Sequence, residues 1–368
     1  MEWFEMSKEL ELAFERGLKG QVSSFDLWLR EHGFAPERMR FDSLFDFLVN
    51  QAPINQHRAF DEIGEFLGYF SKTKSGNFHI VVSGVHGSGK TYLTSILKTF
   101  LIQKRQLNSK VLNARSFGEV DGDEQIFHQI MDELEEKRYD VLLIDDCHLD
   151  KNIKYSLQQI SAKVKDALIL TTWEPVFWDY VDDEIESTVP SNKIVVLKPF
   201  SLAETVKLLR QVVAFLSEGK AEISNDVFGE IHAHSVGVPG ISIMLLFDVL
   251  RRVFDEGLEN IDVKIVSNVV KARGIGGIGE RMKALNDVQL AILRQIILSQ
   301  DKRGVRPTQF AQTLNRDKAT VSYYLSQLCE QGFLDYTKFG KFVYYQIPES
   351  LVPFVEFRLC MMESDFLA

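Results

Sequence analysis

Apolar and charged positions alternate at helical spacing through the first fifty residues of the chain. The runs KELELAFERGL and FDSLFDFLVNQ place apolar side chains three and four positions apart, with Gly20 and Gly33 as breaks. This spacing gathers apolar side chains on one face of a helix, which then has to pack against another element. Residues 1–50 are therefore predicted to form a helical N-terminal segment.

Between residues 51 and 197 the pattern changes to short apolar runs separated by helical stretches. A helix is predicted in APINQHRAFDEIGEFLGYF, and the apolar run HIVVSG that follows it is typical of a buried strand. Alternating strands and helices build a parallel sheet with helices on both faces, so an α/β fold is expected. Further strands are predicted in VLNARSF, DVLLIDD, ALILTT and KIVVL, and further helices in DEQIFHQIMDELEEK and near YSLQQISAKV.

After residue 197 the chain becomes helical and then rich in glycine. The runs SLAETVKLLRQVVAFL, SNDVFGEIHAHS and ISIMLLFDVLRRVF predict a separate helical lid over 198–272. The segment RGIGGIGER has four glycines, which favour an irregular backbone, so 273–283 is predicted to be an interdomain linker without a regular element. Residues 284–368 are expected to form a further domain.

A phosphate-binding motif lies between the strand HIVVSG and the next helix. The sequence GVHGSGKT satisfies G-x-x-x-x-G-K-[ST] in the strand-to-helix context that the motif requires. A tight turn would explain the glycines but not the Lys-Thr pair, whereas a P-loop directs backbone N–H groups and a helix N-terminus at phosphate. Lys90 is expected to neutralise the β- and γ-phosphates, and Thr91 to bind Mg²⁺. The predicted contacts to ATP or ADP are Gly84, Val85, His86, Gly87, Ser88, Gly89, Lys90 and Thr91.

Two acidic residues end the apolar run DVLLIDD. Asp145 lies at the predicted tip of the strand and is expected to hold Mg²⁺ through water, whereas Asp146 would orient the attacking water. The alternative is a pair of solvated loop acids. The strand ALILTT offers Thr172 or Thr171 to the γ-phosphate region, although threonine is also an ordinary strand residue. The candidate catalytic residues are thus Lys90, Asp146 and Thr172.

These motifs resemble those of AAA+ ATPases over roughly residues 50–270, in particular the initiator clade that includes DnaA and the origin-recognition proteins. GVHGSGKT matches the Walker A motif, LLIDD matches Walker B with paired aspartates, and the helices after LKPFSLAET resemble the family's lid. The resemblance implies an ATP-dependent protein whose partner is double-stranded DNA. Replication or transcription proteins as further partners, and a homo-oligomer assembled on DNA, remain open.

The chain departs from this family at the expected arginines. No arginine lies between Arg138 and Arg210, so an arginine finger has no candidate, and Lys193 is a poor substitute. The lid reads GVPG at 237–240 where the family usually has a sensor arginine, and Trp173 replaces a usual polar sensor. Loss of an arginine finger slows turnover by several powers of ten. Tight nucleotide binding with slow ATP hydrolysis is therefore expected, and the Gly-x-Pro pattern also resembles the STAND class of signalling ATPases.

From residue 284 onward the predicted order is three helices followed by two strands. This order resembles the winged helix-turn-helix domains of MarR-like regulators and origin-recognition proteins. Thr308 and Asp317 are predicted N-caps of the second and third helices, and Gly332 is predicted to end the third. The third helix would enter the DNA major groove, with the hairpin YTKFGKFVYY as the wing. The predicted DNA contacts are Lys318, Thr320, Tyr323, Tyr324 and Gln327 on the helix and Lys338 and Lys341 on the wing, while Val321, Leu325 and Leu328 face the core.

Charge limits any nucleic-acid surface to a local patch. The formal net charge of the chain is −10, whereas residues 301–345 have seven Lys and Arg against four Asp and Glu. Neutralising phosphates requires clustered cations, and this small local excess supplies some. A winged helix that serves protein contacts remains the alternative.

The cysteines and the N-terminus bear on the cellular location. The three cysteines, Cys147, Cys329 and Cys360, lie far apart and lack metal-ligand spacing, so neither disulfides nor a zinc site is expected. The N-terminus has acids where a signal peptide has bases, and no window approaches the roughly 18–20 apolar residues that cross a bilayer. A cytoplasmic protein without a membrane partner is expected.

Three functions remain open at this level. The first is an ATP-dependent DNA-binding protein of the origin-recognition or replication-initiator type, with the nucleotide as a conformational switch. The second is a STAND-like, ATP-gated transcriptional or signalling regulator. The third is a nucleotide-bound scaffold for protein interactions.

Overall fold

The structure is a computed structural model. It describes residues 23–51, 54, 57–73, 76–105, 107–117, 124–150, 152–187, 189–299 and 304–362. Residues 1–22 of the predicted N-terminal segment, with the predicted break at Gly20, lie outside the described residues. Its described part contains helices α1 (Ser24–Glu31) and α2 (Phe41–Val49), and Gly33 between them has a φ of +81°.

A five-stranded parallel sheet forms the base of the described chain. Helix α3 (His57–Thr73) precedes the first strand, and the strands occur across the sheet in the order second, third, fourth, first, fifth. The predicted strand VLNARSF is shorter than expected, because a 3-10 turn capped by Asn113 follows it. The alternating elements are β1 (Phe78–Ser83), α4 (Lys90–Phe100), β2 (Ser109–Asn113), α5 (Glu124–Glu136), β3 (Val141–Asp145), α6 (Ile153–Lys163), β4 (Leu168–Trp173), α7 (Pro175–Glu186) and β5 (Lys193–Val196).

The sheet is covered on both faces, as the apolar strands predicted. Ile80 and Val82 of β1 belong to a core cluster with α3 and α4, whereas Val81 between them belongs to the cluster with α5 and α6. Successive strand residues point to opposite faces, so a strand buried on both sides has to be apolar throughout. The parallel register aligns Ser83 of β1 with Trp173 of β4, which brings the carboxyl ends of neighbouring strands to one edge.

Four helices form the lid: α8 (Leu202–Ser217), α9 (Asn225–Ser235), α10 (Pro239–Asp255) and α11 (Val263–Ala272). The first begins at a capping box in which Ser201 and Glu204 satisfy each other's backbone N–H groups. The N-terminal helices pack on this lid, since the Ala35 N–H donates to the Leu216 carbonyl at 2.7 Å. Residues 23–51 are therefore joined to the lid by packing and by a backbone hydrogen bond.

The glycine-rich segment contains a helix where the sequence predicted no regular element. Helix α12 (Ile278–Lys283) begins after Gly277, which has a φ of +62°. Ile275, Ile278 and Met282 are buried in the same core cluster as the lid. The prediction of an irregular linker was wrong here, because apolar side chains between the glycines pack inward and the glycines supply the turns.

The C-terminal domain begins with α13 (Asp287–Ser299), α14 (Pro307–Thr313) and α15 (Lys318–Glu330), followed by the hairpin β6 (Asp335–Phe339) and β7 (Phe342–Gln346). Asp317 caps α15 as predicted, and Gly332 follows its end with a φ of +73°. The predicted cap at Thr308 is wrong: Arg306 is the N-cap of α14, since Pro307 occupies the first helical position. A last helix, α16 (Val352–Met362), was not predicted.

No helix of these described stretches combines the length and the apolar character needed to cross a membrane.

Candidate functional site

The P-loop follows β1 at the carboxyl edge of the sheet. Gly87 and Gly89 have φ values of +78° and +98°, which side-chain-bearing residues rarely adopt. A Cβ on Gly84 would collide with the Ser88 hydroxyl and lie 3.1 Å from the Cβ of Leu197. The predicted glycines are thus required by the backbone path, and helix α4 begins directly at Lys90.

Lys90 is buried, with 6% of its surface exposed. Its Nζ donates to the Gly84 carbonyl at 2.7 Å and to the Val85 carbonyl at 3.2 Å, both within the P-loop. These are contacts that the flexible ammonium can exchange for phosphate oxygens, since a lysine head has three donors on a four-carbon stem. The lysine is therefore held at the mouth of the loop.

The acidic pair at the end of β3 is bonded to β4. Thr172 Oγ1 donates to Asp145 Oδ1 at 2.5 Å and accepts the Asp146 backbone N–H at 2.9 Å. Asp145 is buried, whereas Asp146 is half-buried, has a φ of 58° and accepts the Asn113 amide at 3.2 Å. The structure thus connects Thr172 to both aspartates.

Thr171, the alternative to Thr172, lies on the opposite face of the sheet. Its hydroxyl is 2.8 Å from His79 Nε2 and accepts from Trp173 Nε1 at 2.9 Å. His79 Nδ1 faces the Val189 carbonyl at 3.1 Å, and burial lowers the pKa of this histidine to about 4. Thr171 therefore belongs to a buried network away from the P-loop.

A cavity of about 760 Å³ opens in front of the P-loop. Its walls include predicted contact residues from His86 to Thr91 and also Asp146, whereas Gly84, Val85, Asp145 and Thr172 are not among the lining residues. The far wall is apolar and comes from α2 and the lid, with Phe41, Phe45, Met244 and Phe247 among its members. A cavity with one polar end and one apolar end matches a triphosphate joined to a flat base.

The lid touches the P-loop directly. The Gly240 backbone N–H donates to the Gly87 carbonyl at 2.9 Å, and a Cβ on Gly240 would lie 3.0 Å from the Gly87 Cα. A Cβ on Gly237 would collide with the Phe200 carbonyl. The glycines at 237 and 240 therefore have a packing role, and a side chain at 240 would make a tight contact with the P-loop backbone.

Lys193, which the sequence analysis judged a poor substitute for an arginine finger, forms an ion pair within the chain. Its Nζ lies 2.9 Å from Glu62 Oε2 of helix α3. An ammonium held in an ion pair on its own sheet edge is not presented to a neighbouring subunit. The structure therefore offers no support for Lys193 as a finger.

A buried carboxyl pair, which the sequence analysis missed, lies beside the P-loop. Glu174 is the N-cap of α7 and Glu356 belongs to α16, and they are 5% and 1% exposed. The His86 backbone N–H donates to Glu356 Oε2 at 3.0 Å, and His86 Nδ1 lies 3.3 Å from Glu174 Oε1. His148 Nε2 lies 3.4 Å from that same Glu174 oxygen, and the two carboxyls hydrogen-bond each other.

The two carboxyls hold different protonation states. Burial raises the pKa of Glu356 well above its ordinary value, and the charge of Glu174 raises it further. Burial also acts to raise the pKa of Glu174, but the His86 hydrogen bond and the charges of His148 and Lys90 outweigh it and lower that pKa. Two adjoining buried carboxylates repel strongly, so one of the two carboxyls is protonated. Glu356 therefore carries the proton and Glu174 the negative charge.

The predicted DNA-contacting residues fall into two groups by exposure. Lys318, Tyr323, Lys338 and Lys341 are exposed, whereas Thr320, Tyr324 and Gln327 are half-buried. Thr320 bonds Asp317 at 2.6 Å, Gln327 donates to the Tyr323 hydroxyl at 2.7 Å, and Tyr324 packs against the core. The half-buried side chains thus have partners within the domain, and the first group forms its outer face.

The wing adds exposed aromatic side chains that the sequence analysis did not select, and the neighbouring Arg306 adds a basic one. Tyr336, Phe339 and Phe342 are 57%, 53% and 44% exposed. Arg306 and Lys341 each lie over the Phe342 ring, at 5.4 Å from its centroid. Alternating aromatic and basic residues on a hairpin were the available signal, because a strand exposed on both faces has no core to bury such rings.

Comparisons with known proteins establish the fold. No family model matches the sequence. The structure is similar to Orc1 of Aeropyrum pernix, solved in complex with DNA, at a TM-score of 0.51 and 14% identity, covering 87% of this chain and 95% of that one. A weaker similarity, at a TM-score of 0.48 and 21% identity, is to the RuvB Holliday junction branch migration motor of Thermotoga maritima, over 82% and 96% of the two chains.

Among curated proteins, an uncharacterized HTH-type transcriptional regulator of Methanocaldococcus jannaschii is 25% identical over 176 residues. The match spans 46% of this chain and 42% of the regulator, so it covers less than half of either protein. At these identities the likeness to solved structures shows the fold. The expected fold is confirmed: a P-loop parallel sheet, a helical lid and a C-terminal winged helix, an arrangement similar to that of Orc1 of Aeropyrum pernix.

Proposed function

We propose that the protein binds ATP and double-stranded DNA, and that the nucleotide acts as a conformational switch with slow hydrolysis. The observation that carries the proposal is a complete P-loop whose cavity is lined in part by the lid and whose His86 N–H is bonded to a helix of the winged-helix domain. The nucleotide site and the domain that we propose binds DNA are therefore in physical contact within one chain.

The residues around the cavity fit a nucleotide and Mg²⁺. Ser88 Oγ is buried and has no hydrogen-bond partner among the described residues, so it is a free donor in the phosphate cradle. Lys90 and the P-loop N–H groups would hold the phosphates. The Thr91 hydroxyl and the Asp145 carboxylate are oxygen donors of the kind that Mg²⁺ prefers, and Mg²⁺ would supply charge neutralisation on the phosphates.

Slow hydrolysis follows from what surrounds the γ-phosphate position. Asp146 would orient the attacking water, and Thr172 would fix both aspartates through its hydrogen bonds. No arginine lies between Arg138 and Arg210, and Lys193 is paired with Glu62. Transition-state charge would therefore lack the arginine that speeds related ATPases.

Lys90→Ala tests the nucleotide site. The loss of a charge-assisted contact to phosphate costs about 1.5–3 kcal/mol, so ATP affinity should fall by about 10- to 100-fold in calorimetry with Mg²⁺ present. Lys98→Ala, at an exposed position of the same helix, is the control and should bind as the wild type does. Equal ATP affinity in Lys90→Ala and wild type would contradict the assignment.

The winged helix is tested by reversing two exposed charges. Lys318→Glu with Lys341→Glu should weaken duplex DNA binding and lower the slope of log affinity against log salt by about 2. Lys264→Glu with Lys271→Glu, at exposed positions of α11, makes the same charge change in the lid. Unchanged affinity in the first double variant would favour a winged helix that contacts protein.

Gating is tested by measuring wild-type DNA affinity with ATP, with ADP and without nucleotide. The proposal expects the three affinities to differ, because the P-loop and the winged-helix domain share a buried hydrogen bond. Equal affinities would instead favour the nucleotide-bound scaffold.

A second candidate is an ATP-gated transcriptional regulator. The HTH-type regulator that matches part of this chain favours it, as does the Gly237-x-Pro239 pattern whose next residue contacts the P-loop. A genome-wide binding map separates the two candidates: one or few sites near a replication start indicate an initiator, and many promoters indicate a regulator.

A further inference from the structure

The C-terminal helix α16 reaches the P-loop through a single polar side chain. Glu356 is the one acid within the largely apolar run VPFVEFRLC, where apolar residues flank it on both sides. Its side chain is buried, with 1% exposed. The helix packs against α7, whose N-cap is Glu174. A carboxyl buried this deeply destabilises the fold unless it has hydrogen-bond partners, so the partners of Glu356 indicate its role.

One of those partners is a backbone donor of the P-loop. The Glu356 Oε2 atom accepts the backbone N–H of His86, the third residue of GVHGSGKT, at 3.0 Å. P-loop N–H groups are the donors that face phosphate oxygens. An N–H has one hydrogen, so Glu356 and a phosphate oxygen cannot both receive a full hydrogen bond from His86.

Charge acts in the same direction as this competition. Glu174, which bonds both Glu356 and His86, is ionised, and the ammonium of Lys90 is among the charges that stabilise it. A triphosphate in the cavity would draw Lys90 toward itself and add negative charge beside Glu174. Both changes weaken the carboxyl pair that anchors α16.

We propose that Glu356 is a positioning residue of the nucleotide site, supplied by the C-terminal helix, whose bond to the His86 N–H opposes triphosphate binding and is released by it. By linkage, ATP then loosens α16 by the same factor by which α16 weakens ATP binding. The proposal rests on the proposed function only in requiring that ATP binds; DNA binding does not enter it.

Two variants separate the hydrogen bond from simple packing. Glu356→Gln keeps the shape of the neutral acid, with an amide oxygen to accept from His86 and an amide N–H to donate to Glu174. Glu356→Ala removes both bonds. Glu349→Ala, at an exposed position of the same domain, is the matched control. Thermal unfolding of all three establishes that they are folded.

The first measurement uses the wild-type protein and needs no variant. Hydrogen–deuterium exchange of amides in 352–360 is followed with ATP and Mg²⁺, with ADP and Mg²⁺, and without nucleotide. ATP should speed this exchange, and ADP should do so less, while the amides of β3 stay unchanged. If ATP binds by calorimetry and the exchange of 352–360 is unchanged or slower, the proposal is overturned.

The second measurement is ATP affinity by calorimetry. Loss of one competing hydrogen bond should tighten ATP binding by about three- to tenfold in Glu356→Ala, whereas Glu356→Gln and Glu349→Ala should match the wild type. Wild-type or weaker affinity in a folded Glu356→Ala variant overturns the proposal. Absence of ATP binding in the wild type is a different result, because it removes the proposed function itself.

Discussion

At the scale of single residues, two adjacent threonines show how side-chain direction decides a role. Thr172 donates to Asp145 and accepts from the Asp146 N–H, whereas Thr171 bonds His79 and Trp173 on the other face of the sheet. Both are fully buried, so their burial does not distinguish them. Alternation along β4 places one at the nucleotide edge and one in the core.

Thr172→Val should therefore differ from Thr171→Val in function but not in stability. Each loses two buried hydrogen bonds and should lower the free energy of unfolding by about 1–3 kcal/mol, measured by urea titration. Only Thr172→Val should also lower ATP hydrolysis, because it frees Asp145 and Asp146. An equal loss of hydrolysis in both variants would mean that Thr172 has no special place in the site.

At the scale of elements, the N-terminus of α10 closes on the P-loop backbone. The Gly240 N–H to Gly87 carbonyl bond is made between two residues without side chains, and a Cβ on Gly240 would lie 3.0 Å from the Gly87 Cα. The lid therefore meets the P-loop at this position through its backbone.

Gly240→Ala should accordingly weaken ATP binding, although alanine has a higher propensity than glycine for positions inside a helix. Overpacking at this contact costs about 1–3 kcal/mol and should displace the lid, which calorimetry would detect as up to about 100-fold weaker binding. Gly229→Ala is the control, since its Cβ would meet only the Leu202 side chain at 4.0 Å. Tighter ATP binding or faster hydrolysis in Gly240→Arg would show that an arginine fits there after all.

At the scale of the whole molecule, one core joins the N-terminal helices, the lid and the winged-helix domain. Leu29 of α1, Leu246 of α10, Leu293 of α13 and Val355 of α16 belong to a single cluster of buried residues. The carboxyl pair at the P-loop is a polar bond between the base and this assembly. The pair should therefore make the stability of the whole protein depend on pH.

The pH dependence follows from Glu356, which faces Glu174, His86 and Lys90, while His148 faces Glu174. Its raised pKa gives stability that is complete below the ordinary glutamate value of about 4.3 and is lost as pH rises through the folded value. Glu174, whose pKa is lowered, acts oppositely and loses its contribution as pH falls. Residue 356 cannot ionise in Glu356→Gln. As pH rises, the free energy of unfolding of this variant should therefore increase relative to that of the wild type by up to about 1.4 kcal/mol per pH unit.

Urea unfolding of wild type and Glu356→Gln at pH 5, 6 and 7 checks this prediction. The difference in unfolding free energy should grow with pH in favour of the variant. Glu349→Gln, at an exposed position, should keep the wild-type pH dependence. A constant difference between Glu356→Gln and wild type would show that Glu356 has the same charge folded and unfolded.

Local spacing was enough to predict the P-loop, the alternating strands and helices, the acidic end of β3 and the winged helix, because each depends on residues within a few positions of one another. The folded chain was needed to learn which threonine bonds the acidic pair, what residue 240 packs against, and that Glu356 contacts His86. Those contacts join residues far apart in the chain, and long-range packing sets them; no local pattern encodes which distant residue a buried acid will meet.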